Sequence, residues 1–133
     1  MEKLTISGKR KRVIAKATIS KGSGRILINK IPYQNLDFFK KLSIDEPIEI
    51  AKNVIGNFNF DILVNVVGGG SEARIQASRL AIAKALVEFT KSKELRNAFI
   101  NYDKNLLIAD IRRKEAYKPG DSKARRKRQK SYR

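Results

Sequence analysis

The clearest structural signals in the chain lie in residues 58–91, FNFDILVNVVGGGSEARIQASRLAIAKALVEFTK. Residues 58–67 alternate between apolar and polar side chains, and this period of two predicts a strand with one buried face. After the glycines, residues 71–91 predict the longest helix, whose apolar stripe comprises Ile75, Ile82, Leu86 and Phe89. A strand followed by such a helix indicates a sheet with the helix packed on one face.

Two further strands are predicted upstream of this unit. The segments VIAKATIS (13–20) and RILIN (25–29) are separated by KGSG (21–24), and this pattern predicts a hairpin. Two short helices follow, at residues 32–42 and 45–55. In the second, Asp45 is suited to cap the helix and Pro47 to occupy its first turn.

Downstream, Ser92 can cap another helix, and residues 105–111 predict a short last strand. The predicted fold is therefore α+β, a two-layer α/β sandwich with about four strands and helices on one face. From Arg112 onward almost no apolar side chain remains to offset the entropy of ordering. We expect residues 1–111 to form a globular body and residues 112–133 a basic C-terminal tail that is disordered alone and ordered on a partner.

The charge balance predicts an anionic partner. The chain of 133 residues has 30 Lys and Arg against 13 Asp and Glu, for a net charge of +17. Residues 111–133 contribute 11 basic and 2 acidic side chains, so over half of the excess lies in the last sixth of the chain. Self-repulsion of this size favours association with a polyanion.

The residue types that are missing narrow the chemistry. The chain has no Cys and no His, which removes thiolate nucleophiles, disulfides, the commonest general base and the commonest metal ligands. No carboxylate pair is placed for acid–base work. No apolar run approaches the roughly 20 residues that span a bilayer, and no secretory signal is recognisable. We therefore expect a cytoplasmic protein that is not an enzyme and needs no metal or cofactor.

Two basic clusters favour nucleic acid as the anionic partner. The ending KARRKRQKSYR (123–133) has seven Lys or Arg residues, and such residues neutralise phosphates and release counterions. Alternatively, it is a solvated charge run or a localisation signal. The second cluster, GKRKR (8–12), precedes the first predicted strand, where it contacts phosphates or, alternatively, keeps a sheet edge soluble.

The glycine turn GGGSEA (68–73) formally fits a dinucleotide-binding fingerprint. That interpretation fails because the acidic residue expected about 20 residues later would fall within helical sequence. The backbone N–H groups at a helix start can still hold an anion such as an RNA phosphate. A simple tight turn explains the glycines equally well.

The order of these motifs resembles the S-nine family of small-subunit ribosomal proteins over nearly the whole chain. The resemblance is carried by the following residues: Gly8, Lys9, Arg10, Lys11, Ala15, Gly22, Gly24, Ile26, Ile28, Asn29, Gly68 to Gly70, Gln76, Ile82 to Leu86, Asp110, Arg112, Glu115, Lys118, Gly120, Lys123 to Arg125, Gln129, Ser131 and Arg133. The ending QKSYR (129–133) is similar to the archaeal and eukaryotic branch.

The resemblance implies a ribonucleoprotein role in translation. It implies a left-handed βαβ crossover, a body seated on ribosomal RNA (rRNA) beside neighbouring proteins in the small-subunit head, and a tail that reaches the anticodon stem-loop of the transfer RNA (tRNA) in the peptidyl site. The implied tRNA contacts are Arg133, Tyr132, Ser131, Lys130 and Arg128. The expected rRNA contacts are Lys9, Arg10, Lys11, Arg12, Gly68, Gly69, Gly70, Arg74, Arg112, Arg113, Lys114, Lys118, Lys123, Arg125, Arg126 and Lys127.

Two other functions remain open at this point. A general nucleic-acid-binding or DNA-compacting protein would explain the charge, but not the ordered set of motifs. An RNA-modifying or nucleolytic enzyme is disfavoured because the chain has no His, no Cys and no convincing carboxylate pair.

Overall fold

The computed structural model describes residues 3–103, 106 and 107. In chain order the elements are β1 (Lys3–Arg10), β2 (Val13–Lys21), β3 (Ile26–Ile28), β4 (Ile31–Pro32), a short 3-10 turn (Tyr33–Asn35), α1 (Phe38–Ile55), β5 (Phe60–Val67), α2 (Ser71–Thr90) and α3 (Lys93–Tyr102). The strands form one mixed sheet in the order β1-β2-β5-β3-β4. The predicted α+β class is confirmed.

The strand count differs from the prediction, because the described residues contain five strands rather than about four. The segment GKRKR (8–12) does not precede the first strand. It forms the end of β1 and the turn into β2, which pair in antiparallel register from Lys3 and Ser20 to Arg10 and Val13. The strand expected at 105–111 is not found at Leu106 and Leu107, which lie in a turn, and its other residues lie outside the described part.

The predicted hairpin between β2 and β3 is wrong, because β5 lies between them, antiparallel to β2 and parallel to β3. The loop that joins β2 to β3 therefore passes around one end of β5, where Asp61 holds it. The Asp61 carboxylate accepts backbone N–H groups of Ser23, Gly24 and Arg25 at 3.0, 3.2 and 3.1 Å. These hydrogen bonds, that of Arg25 foremost, lower the pKa of Asp61.

One continuous helix, α1, replaces the two short helices predicted at 32–42 and 45–55. Pro47 lies in the interior of α1 and is buried rather than in a first turn. Asp45 does not cap a helix. Its carboxylate instead accepts a hydrogen bond from the hydroxyl of Tyr33, and burial together with this bond raises the pKa of Tyr33 to about 12. Core burial of α1 thus overrides the local preference of proline for a helix start.

The sheet has one buried and one open face. Side chains of β2 and β5 that point inward are fully or nearly fully buried, as in Ala17, Ile19 and Ile62. Helix α2 covers this inner face and is itself covered by α1 and α3, so Ile82 and Leu86 of the predicted stripe are at 0% exposure. No described element covers the opposite face, which we call the outer sheet face.

Helix α3 and the βαβ unit complete the body. The predicted cap is confirmed, because the Ser92 hydroxyl accepts the N–H of Leu95 at 3.2 Å, and Leu95 and Phe99 are fully buried. Helix α1 connects β3 to its parallel neighbour β5, so the βαβ unit implied by the family resemblance is present. Its left-handed crossover stays a prediction. The boundary between body and tail at residue 111 lies outside the described residues.

Candidate nucleic-acid interface

Four consecutive cations lie at the end of β1 and in the turn between β1 and β2. Lys9 and Arg10 end β1, and Lys11 and Arg12 form the turn. Lys9, Lys11 and Arg12 are exposed. Lys11 has a positive φ of 56°, a conformation that non-glycine residues rarely adopt, so the turn is tight. The basic cluster is therefore held on a two-residue hairpin tip.

The glycine turn between β5 and α2 lies against this hairpin tip. Gly68 and Gly69 have φ values of 89° and 57°. A Cβ atom on Gly68 would lie 3.1 Å from the carbonyl oxygen of Arg12, and one on Gly69 would overlap the Val13 side chain. The glycines are therefore required by backbone conformation and by close approach of the hairpin. Two motifs that are nearly 60 residues apart in sequence form one surface.

Two arginines join the hairpin and the glycine turn to α2 through hydrogen bonds. Arg10 donates from Nε to Oε1 of Gln76 in α2 at 2.6 Å. Arg74 donates from Nε to the carbonyl oxygen of Gly68 at 2.8 Å, so its side chain folds back over the glycine turn. Gln76 was missing from the predicted site. The sequence marked Gln76 only as part of the family resemblance, and the strand-to-helix contact with Arg10 reveals its role in orienting that arginine.

The start of α2 adds backbone donors to the same surface. Gly70 is the N-cap and has no capping side chain, and a Cβ atom added at Gly70 would meet no other part of the chain within 4 Å. The first N–H groups of α2 have no partner within the helix and lie beside the hairpin tip, where an anion can accept them. Glu72 in the first turn adds a negative charge that partly opposes this attraction. We call Lys9 to Arg12, Gly68 to Gly70 and Arg74 the hairpin–glycine surface.

Two other cations of α2 have structural roles. Arg79 bonds Glu46 of α1 at 2.5 Å and lies 3.7 Å from Asp103, which follows α3, so it joins the three helices. Its side chain is only 16% exposed. Lys84 donates to the carbonyl oxygen of Ser7 at 3.4 Å and so satisfies part of the open edge of β1.

Charge is distributed unevenly over the body. Residues 3–32, which form β1 to β4 and their turns, include nine basic side chains and no acidic one. The helical segments 33–55 and 70–103 include nine basic and eight acidic side chains. The sheet side is therefore strongly positive and the helical side nearly neutral, which orients the molecule toward a polyanion.

The remaining predicted contacts fall outside the described residues. These are the five tRNA contacts at 128 and 130–133 and the rRNA contacts at Arg112, Arg113, Lys114, Lys118, Lys123, Arg125, Arg126 and Lys127. Within the described part, no three acidic side chains are grouped as metal ligands would be. In that same part of the chain, each helix is too short or too polar to cross a membrane.

Comparison with known proteins identifies the family. The family model described as ribosomal protein S9/S16 matches residues 8–133. The small ribosomal subunit protein uS9 of the archaeon Methanococcus vannielii is 43% identical over 129 residues, which cover 95% of each chain. The uS9 protein of Methanococcus maripaludis strain C7 is 44% identical over the same length and coverage. These relatives agree with the resemblance to the archaeal branch. The chain belongs to the ribosomal protein S9/S16 family.

Proposed function

We propose that the protein is a structural, non-catalytic component of the small ribosomal subunit, located in its head and hence on cytoplasmic ribosomes. Its body binds rRNA and lies beside neighbouring head proteins. The observation that carries this proposal is the hairpin–glycine surface, in which the cations of the hairpin tip converge with the glycine turn and the uncapped start of α2. Family membership supports the ribosomal context.

The chemistry of this surface suits the RNA backbone. Lys11 and Arg12 are exposed on a tight turn. Residues 3–32, which form most of the sheet side, contain no carboxylate that could neutralise their charge. Lysine and arginine neutralise phosphates without reading bases, and N–H groups at a helix start add hydrogen bonds to phosphate oxygens. Contacts of this kind position a protein on folded RNA without requiring a particular base sequence.

The tail is proposed to extend this role to the peptidyl-site tRNA. The support is the composition of residues 123–133, which include seven cations and end in Arg133. A guanidinium can clamp a phosphate of the anticodon stem-loop in two-pronged fashion whatever the anticodon. Such sequence independence suits a site that every tRNA visits. In this proposal the body fixes the position, and the tail provides the reach.

A general nucleic-acid-binding or DNA-compacting protein is the alternative, and the net charge alone would favour it equally. The asymmetric body argues against it, because a compacting protein has no need for a nearly neutral helical side. In-cell crosslinking with sequencing of the attached nucleic acid separates the two functions. It is applied to the full chain and to a variant that ends at Ser122.

The ribosomal function predicts that both chains crosslink to the head region of small-subunit rRNA and that only the full chain crosslinks to tRNA. Crosslinks scattered over DNA and unrelated RNAs would overturn the proposal and favour the general binder. Head crosslinks from both chains without any tRNA would leave the body's role standing and refute the role of the tail.

A further inference from the structure

The outer sheet face is a second surface with no covering element in the described part of the chain. Its residues alternate with the buried ones along β1, β2 and β5. Three large apolar side chains remain accessible there, with Ile14, Leu63 and Val67 exposed by 40%, 51% and 73%. The hairpin–glycine surface lies at one end of the sheet, so the outer sheet face continues it along the strands.

The strand register shows how the side chains of this face are arranged. Ser7 of β1 pairs with Lys16 of β2, which pairs in turn with Asn65 of β5. This row joins a cation, a hydroxyl and an amide across three strands. All three of these residues are exposed.

The adjacent rows continue the same chemistry. On one side Lys9 pairs with Ile14, and on the other Thr5 pairs with Thr18, whose hydroxyl lies 3.1 Å from that of Thr5. Lys3 stands at the far end of β1. The face therefore carries lysines and hydroxyls with scattered aliphatic groups.

The lysines of this face are not balanced by neighbouring acids. In β1, β2 and β5 the sole carboxylate is Asp61, and its Oδ1 already accepts three backbone N–H groups of the β2–β3 loop. Lys9 and Lys16 are diagonal neighbours in the register, so they lie roughly 7–8 Å apart. Like charges this close, without a nearby free anion, favour a polyanionic ligand.

We infer that the outer sheet face binds the sugar–phosphate backbone of a double-stranded segment of rRNA. This inference rests on the proposed function and identifies a second part of the body that touches RNA. The ammonium groups meet phosphates, while Ser7, Thr5 and Asn65 meet 2′-hydroxyls, which both donate and accept hydrogen bonds. The face has no aromatic side chain on β1 or β2, so stacking of splayed bases is not its mode of binding.

The shape of the face fits a duplex better than a single strand. Lys3 and Lys9 are six residues apart on one strand, so the cations extend over about 20 Å. The minor groove of an RNA duplex is wide and shallow and displays ribose hydroxyls, which a broad sheet can approach. Ile14 and Val67 pair in one row, where their methyl groups can rest against ribose carbons.

The test compares two charge-matched variants of the full chain, Lys16→Gln on the outer sheet face and Lys93→Gln on α3. Both lysines are exposed, so both variants lose one surface charge. The measurement is affinity for a head-domain fragment of small-subunit rRNA as a function of salt. Loss of one phosphate contact should weaken binding about eightfold at 0.1 M salt and reduce the salt slope by about one. We expect this for Lys16→Gln and no change for Lys93→Gln.

Directed cleavage supplies a readout that does not depend on affinity. Because the chain has no cysteine, Asn65→Cys and Lys93→Cys each introduce a single attachment point for an iron chelate that generates hydroxyl radicals. When the protein is bound to the rRNA fragment, the chelate attached at position 65 should cleave both strands of one duplex. The chelate attached at position 93 should cleave far less.

Each result bears on the inference. Equal affinity losses in the two glutamine variants, or equal cleavage from the two probes, would overturn it while the proposed function stands. Cleavage confined to one unpaired strand would replace the duplex with single-stranded RNA and so refute the inference as stated. If the unaltered chain bound the head-domain rRNA fragment no more tightly than an unrelated RNA, the inference and the proposed function would both be overturned.

Discussion

Replacement of Gly8 by alanine should destabilise the body without affecting its charge. Gly8 lies in β1 and is buried under α2. An added Cβ atom would lie 2.7 Å from the carbonyl oxygen of Ala77 and 2.8 Å from the amide nitrogen of Ala81. Both are backbone atoms of a helix, so neither can rotate away as a flexible side chain would. Ordinary contact therefore requires α2 and β1 to separate by several tenths of an ångström.

The magnitude follows from two opposing terms. Overpacking of this kind costs about 1–3 kcal/mol. Alanine in a strand recovers about 0.5–1 kcal/mol relative to glycine. The two terms leave a loss of about 0–2.5 kcal/mol in the free energy of unfolding, and because both contacts are backbone atoms closer than 3.0 Å we expect about 1–2 kcal/mol. With a urea m-value of about 2 kcal/mol/M, the midpoint should fall by roughly 0.5–1 M.

The assay is urea unfolding of the full chain followed by circular dichroism. The matched control is Ser7→Ala, which places the same side chain one residue earlier, on the exposed face of β1. It should change stability by less than about 0.5 kcal/mol. An unchanged midpoint for Gly8→Ala would refute the close strand-to-helix packing described above. Loss of rRNA affinity at full stability would instead make Gly8 a contact residue.

Three further changes test the remaining contacts. Arg79→Met should lower the free energy of unfolding by about 2 kcal/mol, because Glu46 and Asp103 lose their shared partner; unchanged urea unfolding would show that the ion pairs are dispensable. Phe99→Ala, at a fully buried position, should cost about 3–5 kcal/mol in the same assay, and a loss below 1 kcal/mol would contradict its burial. Asp61→Asn should lower the melting temperature at neutral pH. Because hydrogen bonds to the charged form lower the pKa of Asp61 in the folded state, its contribution is present above its ordinary pKa of 3.8 and is lost as the pH falls through the lower folded value. The difference in melting temperature between the two proteins should therefore vanish in acid, and a constant difference would contradict the assignment.

Local patterns in the sequence correctly predicted the strands and helices that bury only one face. The alternation of residues 58–67 predicted β5, and the spacing around Ile82 predicted α2, because both patterns report a single buried face. Ser92 predicted the start of α3 through a hydrogen bond within one turn. In each case the interaction that determines the element lies close in sequence.

The predictions that were wrong concern elements whose structure is determined by contacts between residues far apart in the sequence. The β2–β3 hairpin was predicted from a short glycine linker, but Asp61, almost 40 residues later, binds that linker and β5 inserts between the strands. Pro47 favoured a helix start, yet burial of the surrounding side chains keeps α1 continuous. The two halves of the hairpin–glycine surface were recognised separately. Their convergence depends on the pairing of β2 with β5, which no local pattern encodes.

The central claim is that the hairpin–glycine surface seats the body on rRNA. The most direct test is chemical footprinting of rRNA in small subunits reconstituted with the double variant Lys11→Gln/Arg12→Gln or with the control Lys52→Gln/Lys93→Gln. All four side chains are exposed, and both variants lose two positive charges. We predict that the hairpin variant loses protection of one contiguous region of head rRNA while the control retains it. Equal protection by both variants would contradict the claim.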